Sequence, residues 1–520
     1  MPWHNLSHGT PSLIFAAAVT ALFTTAGLLS GHAKPARYFW LPLAVLLATG
    51  LAIPASQAFR ASLQTLAAVP KTGAPAVLAS LATFAFLGFA AGRALAGRRS
   101  TTRHLRGTVV EEHRPRFRLR RTAKTLTLAG IPIPTLDEAK HFKLIGTTGT
   151  GKSTAIRELL SAALQRGDRA VIADPDAGYL NDYYTPHRGD VILNPFDQRS
   201  HRWNPFAELE NSYDVDQLAR ALIPEGEGGS SREWRAYART FFTAVTRQLF
   251  ELKTHDTAEL YRLLTSATHE ELKILVAGTP AQPFLEGGNE RMFGSIRSVT
   301  AHAIAALEAI SRQTAQPFSI RHWIRAARSG QAGALFFPYD ARQIAALGPM
   351  ISAWMRLAIF ETMTGAGSDQ RLWFIVDELD ALGAIDGLKD ALARLRKFGG
   401  RCVLGFQSIA QVSTTYGAGE AQTIVENCGN TLILRCSASE QGGTARFASR
   451  LIGDREILRT HESRSRRPGT WEVSRTVSEQ QVTEAAVMPS QVEQLPDLAG
   501  YLKLASLPSW QHVRLRPPRG

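Results

Sequence analysis

The chain has 520 residues, enough for three or four domains of ordinary size. Lys and Arg exceed Asp and Glu by 14 and the sequence pI is about 9.9, a balance suited to a polyanion or an anionic membrane face. Its three cysteines, Cys402, Cys428 and Cys436, have no C-x-x-C spacing; this argues against a disulfide or zinc framework and reads as buried thiols in a reducing compartment.

The N-terminal region carries three uncharged runs, 11–30, 38–59 and 72–92. Each is about as long as a bilayer crossing, roughly 20 residues. A cleaved signal peptide fits poorly, because no basic segment precedes the first run and further apolar runs follow it. Pro42 and Pro54 interrupt the second run, so two or three crossings are open. Two would put the N-terminus inside, three outside. Between Arg93 and Lys124 stand eleven Lys and Arg against Glu111 and Glu112, which is +9 of the total +14. Much of the net charge therefore marks the cytoplasmic side of a membrane, and global charge is weak evidence for DNA.

Residues 141–145 form a short apolar run, and 154–165 have helical spacing with Ile156, Leu159, Leu160 and Leu164 on one face. Between them Gly146, Thr147, Thr148, Gly149, Thr150, Gly151, Lys152 and Ser153 match G-x-x-x-x-G-K-[ST], with Thr154 following. Glycines let backbone N–H groups turn inward onto phosphate oxygens, and the helix N-terminus adds positive dipole character. Lys152 would neutralise the β- and γ-phosphates, and Ser153 would give a hydroxyl to Mg2+.

Strand-like segments recur at 170–173, 190–193, 333–337, 372–376, 401–406 and 431–434, separated by helical patterns such as 341–362 and 387–397. This alternation predicts a parallel, doubly wound α/β sheet. It is interrupted from 205 to 325, where helical periodicity predominates and an all-helical domain is expected. Trp203 and Trp234 are candidates for stacking on bases, against the alternative of core packing. After Leu451 the chain reads as a polar loop bearing Arg464, Arg466 and Arg467, then a proline-punctuated tail.

The run 372–376 leads into Asp377 and Glu378. At the carboxyl end of a central strand, Asp377 would hold the Mg2+ shell and Glu378 would orient and deprotonate water. Asp380 reads as an exposed acid at a helix start. The strand 401–406 ends at Gln407, which either senses a γ-phosphate or caps the next helix.

In order, "GTTGTGKST", "ADPDAGYL", "ILNPFDQRSHRWNPFAEL", "VDELDALG" and "LARLRKFGGRCVLGFQS" resemble the type IV coupling proteins of conjugation, the TraD/TrwB type, within the FtsK/HerA group of motors. The resemblance covers nearly the whole chain. It implies a RecA-like P-loop α/β nucleotide-binding domain with an inserted all-helical domain and N-terminal transmembrane helices. The corresponding division is a transmembrane anchor over 1–97, a basic linker over 98–135, nucleotide-domain parts over 136–204 and 326–520, and the helical insertion over 205–325.

The family assembles as a hexameric ring on the inner membrane and pumps single-stranded DNA, with a bound relaxase, toward a type IV secretion channel. The resemblance therefore implies an ATPase using ATP and Mg2+, with Lys152 and Ser153 as the phosphate-loop pair and Asp377 and Glu378 as the metal and water acids. Gln407 would be the γ-phosphate sensor, and Arg396 an arginine reaching a neighbour's nucleotide. Arg394 and Arg401 compete for that last role, and Arg297 is a weaker candidate. Two departures from the family pattern stand out. The membrane region is longer than the usual two helices. The chain also ends at Gly520, so a tail that contacts a relaxosome partner in some relatives is expected to be absent. The alternative reading is a membrane-bound secretion ATPase or recruitment platform that acts on protein.

Overall fold

A computed structural model describes residues 10–30, 41, 61, 70–96, 102–113, 125–225, 229–326, 332–365, 371–439, 443–466 and 473–517. The chain divides into two compact units, Met1–Leu105 with Ile457–Val482, and Arg106–Glu456 with Thr483–Gly520.

In the first unit, helices α1 (Thr10–Ser30) and α2 (Pro70–Ala96) run side by side in the same direction, with Thr20 against Gly88 and Thr24 against Gly92. A Cβ on Gly92 would come within 2.1 Å of the Thr24 carbonyl oxygen. Small residues let apolar helices meet backbone to backbone where lipid supplies no hydrophobic drive between them. Among the described residues, Val77–Ala94 is long and apolar enough to cross a membrane, and Ala17–Ser30 is a shorter apolar stretch. Ile344–Thr362 passes the same test, but it is mostly buried within the second unit as a core helix. The run 38–59 lies outside the described residues apart from Leu41, as do the basic residues 114–124.

The strands, in chain order, are β1 (Thr102–Gly107), β2 (Val110–Glu112), β3 (Phe142–Ile145), β4 (Arg169–Pro175), β5 (Val191–Ile192), β6 (Ala334–Tyr339) and β7 (Leu372–Val376). They continue as β8 (Gly400–Phe406), β9 (Asn430–Ile433), β10 (Asp454–Arg466), β11 (Val473–Ala485), β12 (Ala499–Lys503) and β13 (Trp510–Arg514). A three-stranded sheet has the order β1-β10-β11. The polar stretch after Leu451 is therefore a long β-hairpin and not a loop, with Arg464 and Arg466 on β10; Arg467 lies outside the described residues. Strands polar on both faces lack the period-two apolar signal that reveals a strand. Residues 476–480 on β11 are all exposed.

The second unit is built on a ten-stranded sheet, β2-β13-β12-β9-β3-β8-β7-β4-β6-β5. Strands β5, β6, β4, β7, β8, β3 and β9 pair in parallel, whereas β12 is antiparallel to both β9 and β13. The sheet is thus mixed where a purely parallel one was expected. Strands β12 and β13 come from the proline-punctuated tail.

Alternate residues of the central strands enter opposite cores. On β7, Leu372, Phe374 and Val376 face one cluster, and Trp373 and Ile375 the other. Burial on both faces is why these strands read as continuous apolar runs. Ile156, Leu159, Leu160 and Leu164 of helix α3 (Lys152–Gln165) cover one face. The helices between 205 and 326 share the other core with the sheet. That stretch leaves and rejoins the sheet through the pairing of Arg202–Trp203 with Pro317–Phe318. Buried Glu208 secures this junction by accepting the Trp203 indole N–H at 3.0 Å and the Ile320 N–H at 2.7 Å. Trp203 packs edge-on against Trp354 and is unavailable to a base, while half-buried Trp234 packs edge-on against Tyr237.

Candidate nucleotide site

The sheet order brings the carboxyl ends of β3, β8 and β7 side by side. Ligands of open α/β sheets bind in the crevice at that edge. Strand β3 is fully buried and delivers the chain to Gly146, whose N–H donates to the Phe406 carbonyl at 3.3 Å. Gly149 and Gly151 have φ of 77° and 116°, the left-handed region that side chains other than glycine's rarely adopt.

The turn feeds α3 at Lys152, and no side chain caps the first N–H groups of that helix. Uncapped N–H groups behind a glycine loop form a ready anion site. Buried Lys152 donates to the loop carbonyls of Gly146, at 2.7 Å, and Thr147, at 3.3 Å. Burial lowers its pKa from the ordinary lysine value, with Asp377 and Glu378 opposing the fall. Thr150 anchors the loop by donating to the Thr147 carbonyl at 2.7 Å. Thr154 lies half-buried in the first turn of α3.

The C-terminal tail braces this loop. The Leu498 N–H donates to the Thr150 carbonyl at 3.0 Å, and a Cβ on Gly151 would meet the Leu498 side chain at 2.9 Å. The Thr147 N–H donates to the Arg435 carbonyl at 2.9 Å.

Strand β7 is wholly buried and ends at Asp377 and Glu378. Ser153 Oγ donates to Asp377 Oδ2 at 2.7 Å, joining loop and acid two strands apart. Between them, Gly405 of β8 leaves no room for a side chain, since a Cβ there would lie 2.1 Å from the Asp377 carbonyl oxygen. Glu378 is half-buried; burial raises its carboxyl above the ordinary value, and the negative charge of Asp380 adds to the rise.

Asp380 is not the exposed acid expected from the sequence. It lies half-buried in a 3-10 turn, its pKa raised by burial, and its Oδ1 is a buried atom without a hydrogen-bond partner. The short turn after β7 folds the chain back over the site before a full helix begins.

Gln407 Nε2 donates to Glu378 Oε1, and Gln407 Oε1 accepts from Thr148 Oγ1 at 3.1 Å. Its amide therefore links loop and acid and does not cap the following helix Ile409–Tyr416. That cap is Ser408, whose Oγ accepts the Ala410 N–H at 3.2 Å.

Strand β4 contributes residues that the sequence did not mark as functional. The Tyr179 hydroxyl donates to Asp377 Oδ2 at 2.7 Å. Burial raises the Tyr179 pKa well above the ordinary value, with the charge of Asp377 adding to it. Asp174, also buried, is pushed up to about 6 by desolvation.

The arginine candidates lie elsewhere. Arg394 and Arg396 are exposed in the turn that enters β8, one strand length from Gln407. Seven residues at ~3.3 Å each put them roughly 20 Å from their own phosphate loop, at the opposite sheet edge. Arg401 is buried beside Trp373, donating to the Gly399 carbonyl at 2.6 Å, and is committed to the fold. Arg297 is held by the Ala267 carbonyl among the helices.

Lys152, Ser153, Asp377, Glu378 and Gln407 thus converge, whereas Arg396 stands apart. A hydroxyl next to a carboxylate, uncapped helical N–H groups, a buried lysine and an orphaned acidic oxygen form a donor set that fits a magnesium nucleotide.

Residues 125–516 match the family model described as the type IV secretion-system coupling protein DNA-binding domain. Coupling protein TraD of Escherichia coli (strain K12) is 32% identical over 383 residues, which are 73% of this chain and 53% of TraD. This chain therefore spans about half the length of that relative. The plasmid coupling protein TrwB in complex with the non-hydrolysable ATP analogue ADPNP superposes with a TM-score of 0.70 at 32% identity, covering 80% of this chain and 95% of that one. TrwB in complex with ADP and Mg2+ gives 0.68 at 32% identity, covering 77% and 91%.

Proposed function

This chain belongs to the type IV secretion-system coupling proteins, and we propose that it is an inner-membrane, ATP-driven pump that recruits relaxase-bound single-stranded DNA and delivers it to a type IV secretion channel during conjugation. The observation that carries the reading is the convergence of Lys152, Ser153, Asp377, Glu378 and Gln407 at one sheet edge. The TrwB complexes with ADPNP and with ADP and Mg2+ support the choice of ligand.

In this reading the loop from Gly146 to Thr154 and the N-terminus of α3 cradle the phosphates of ATP. Lys152 exchanges its bonds to the Gly146 and Thr147 carbonyls for phosphate oxygens. Ser153 and Asp377 hold Mg2+, which when bound neutralises charge developing on the phosphates. Glu378 accepts the proton of the attacking water, a task suited to a carboxylate whose pKa burial has raised. Gln407, tied to both Thr148 and Glu378, reports the state of the loop to the catalytic acid. The close pairing of Glu378 with Gln407 favours a hydrolysing motor over a passive recruitment platform.

We assign 1–97 to the anchor, 98–135 to the basic linker, 136–204 and 326–520 to the nucleotide domain, and 205–325 to the helical insertion. Because α1 and α2 run in the same direction, an anchor in which both cross has an odd number of spans, three in this chain. The N-terminus is then periplasmic and the motor cytoplasmic. The position of Arg396 at the far sheet edge supports action on a neighbour's nucleotide in a homo-hexameric ring. Such fingers contribute about 10³–10⁵ in rate in well-studied cases.

In a mating assay, Glu378→Gln should reduce plasmid transfer to background at an unchanged membrane level; wild-type transfer would remove hydrolysis from the mechanism. Arg396→Ala and Lys152→Ala should each fail to hydrolyse ATP alone. Their mixture should recover part of the rate, since some interfaces then pair an intact loop with an intact finger. A mixture as inactive as its parts would place Arg396 outside the shared site. A membrane-impermeant thiol reagent should label Ser7→Cys in intact spheroplasts; labelling only after lysis would contradict three spans.

A further inference from the structure

Tyr179 is almost fully buried, at 2% exposure, at the start of helix α4 (Gly178–Tyr183). Its hydroxyl and that of Ser153 both donate to one carboxylate oxygen, Asp377 Oδ2, each at 2.7 Å. The chain invests in this placement. Asp176 and Ala177 both lie in the left-handed region, with φ of 55° and 53°, a conformation that costs energy for residues other than glycine. The buried carboxylate of Asp174, at the end of β4, accepts the Tyr179 N–H at 2.9 Å and the Leu180 N–H at 2.7 Å, fixing the helix start. The Arg157 guanidinium covers the ring at 5.1 Å and is itself held by Asp182 at 2.6 Å. Loop helix, β4 and β7 thus converge on one phenol.

The two donors to Asp377 are not equivalent. In the proposed site Ser153 is itself a metal ligand, so its hydroxyl turns its oxygen to the ion when Mg2+ binds. Tyr179 sits on the other side of the carboxylate, on a different strand, and has no such second duty. We propose that Tyr179 is a positioning residue for the metal site, its hydroxyl holding the Asp377 carboxylate in place when Ser153 turns away. The assignment rests on the magnesium-nucleotide reading of the site. Partners of this kind, behind a metal ligand, typically contribute 10–100-fold to metal affinity.

The test is nucleotide binding by the full-length protein in detergent, read with a fluorescent ADP analogue in EDTA and then across a Mg2+ titration. Tyr179→Phe keeps the ring and removes only the donor. Binding in EDTA and the ligand-free melting temperature should match wild type, while the Mg2+ concentration for half-maximal tightening rises ~10-fold. A matching Mg2+ midpoint would overturn the assignment. Because Tyr179 acts through Asp377, adding Tyr179→Phe to Asp377→Asn should shift the midpoint no further. An additive shift would also overturn it, and this comparison decides even if either single variant melts early. Wild type that binds the analogue with no Mg2+ dependence would instead sink the metal-site reading on which the assignment rests.

Discussion

The hydrogen bond from Ser153 to Asp377 is the contact on which the site depends. It spans from the helix that follows β3 to the end of β7, with β8 lying between those strands. The bond therefore exists only if three parallel strands are in register and end at the same edge. The pairing of Val403 with Phe142 and with Ile375 fixes that register from β8 outward. Gly405 sets the spacing, because any side chain there would strike the Asp377 backbone. The apolar runs on either side serve this one alignment. They bury both faces of the sheet so that the polar ends of its strands meet where no regular structure continues.

Electrostatics at this edge are balanced and not neutralised. Burial raises Glu378 and Asp380 and lowers Lys152, so each charged form is held against its own desolvation. Among the described contacts Lys152 has only loop carbonyls as acceptors. Phosphate oxygens are better partners for an ammonium group, and a metal ion is a better partner for the carboxylates. The site is thus arranged so that charged ligands relieve costs already present in the fold. A coupled change on binding then reaches Gln407, which bonds to both the loop and Glu378.

Much of this was legible in the sequence, and for identifiable reasons. Local motifs, such as the loop at Gly146–Ser153, and long apolar runs, such as 372–376, carry their own signals. Tyr179 carried none. An aromatic residue after Asp-Pro-Asp-Ala-Gly looks like core packing until the fold brings it to Asp377, 198 positions away. Asp380 looked exposed because a turn, not a helix, follows β7. The antiparallel strands β12 and β13 were hidden by their shortness and by the flanking Pro496 and Pro508. The hairpin β10–β11 was hidden because it is polar on both faces. Gln407 was ambiguous until Ser408 proved to be the cap.

The central claim is that this site turns nucleotide hydrolysis into work on DNA. The most direct measurement is ATP hydrolysis by the full-length protein in lipid nanodiscs, with and without single-stranded DNA, across a range of salt. Basic residues that meet a phosphate backbone release counterions, so the effect of DNA must weaken as salt rises. The account predicts strong stimulation at low salt that fades at moderate salt. Steady hydrolysis that ignores DNA even at low salt would contradict it and favour an ATPase that acts on protein.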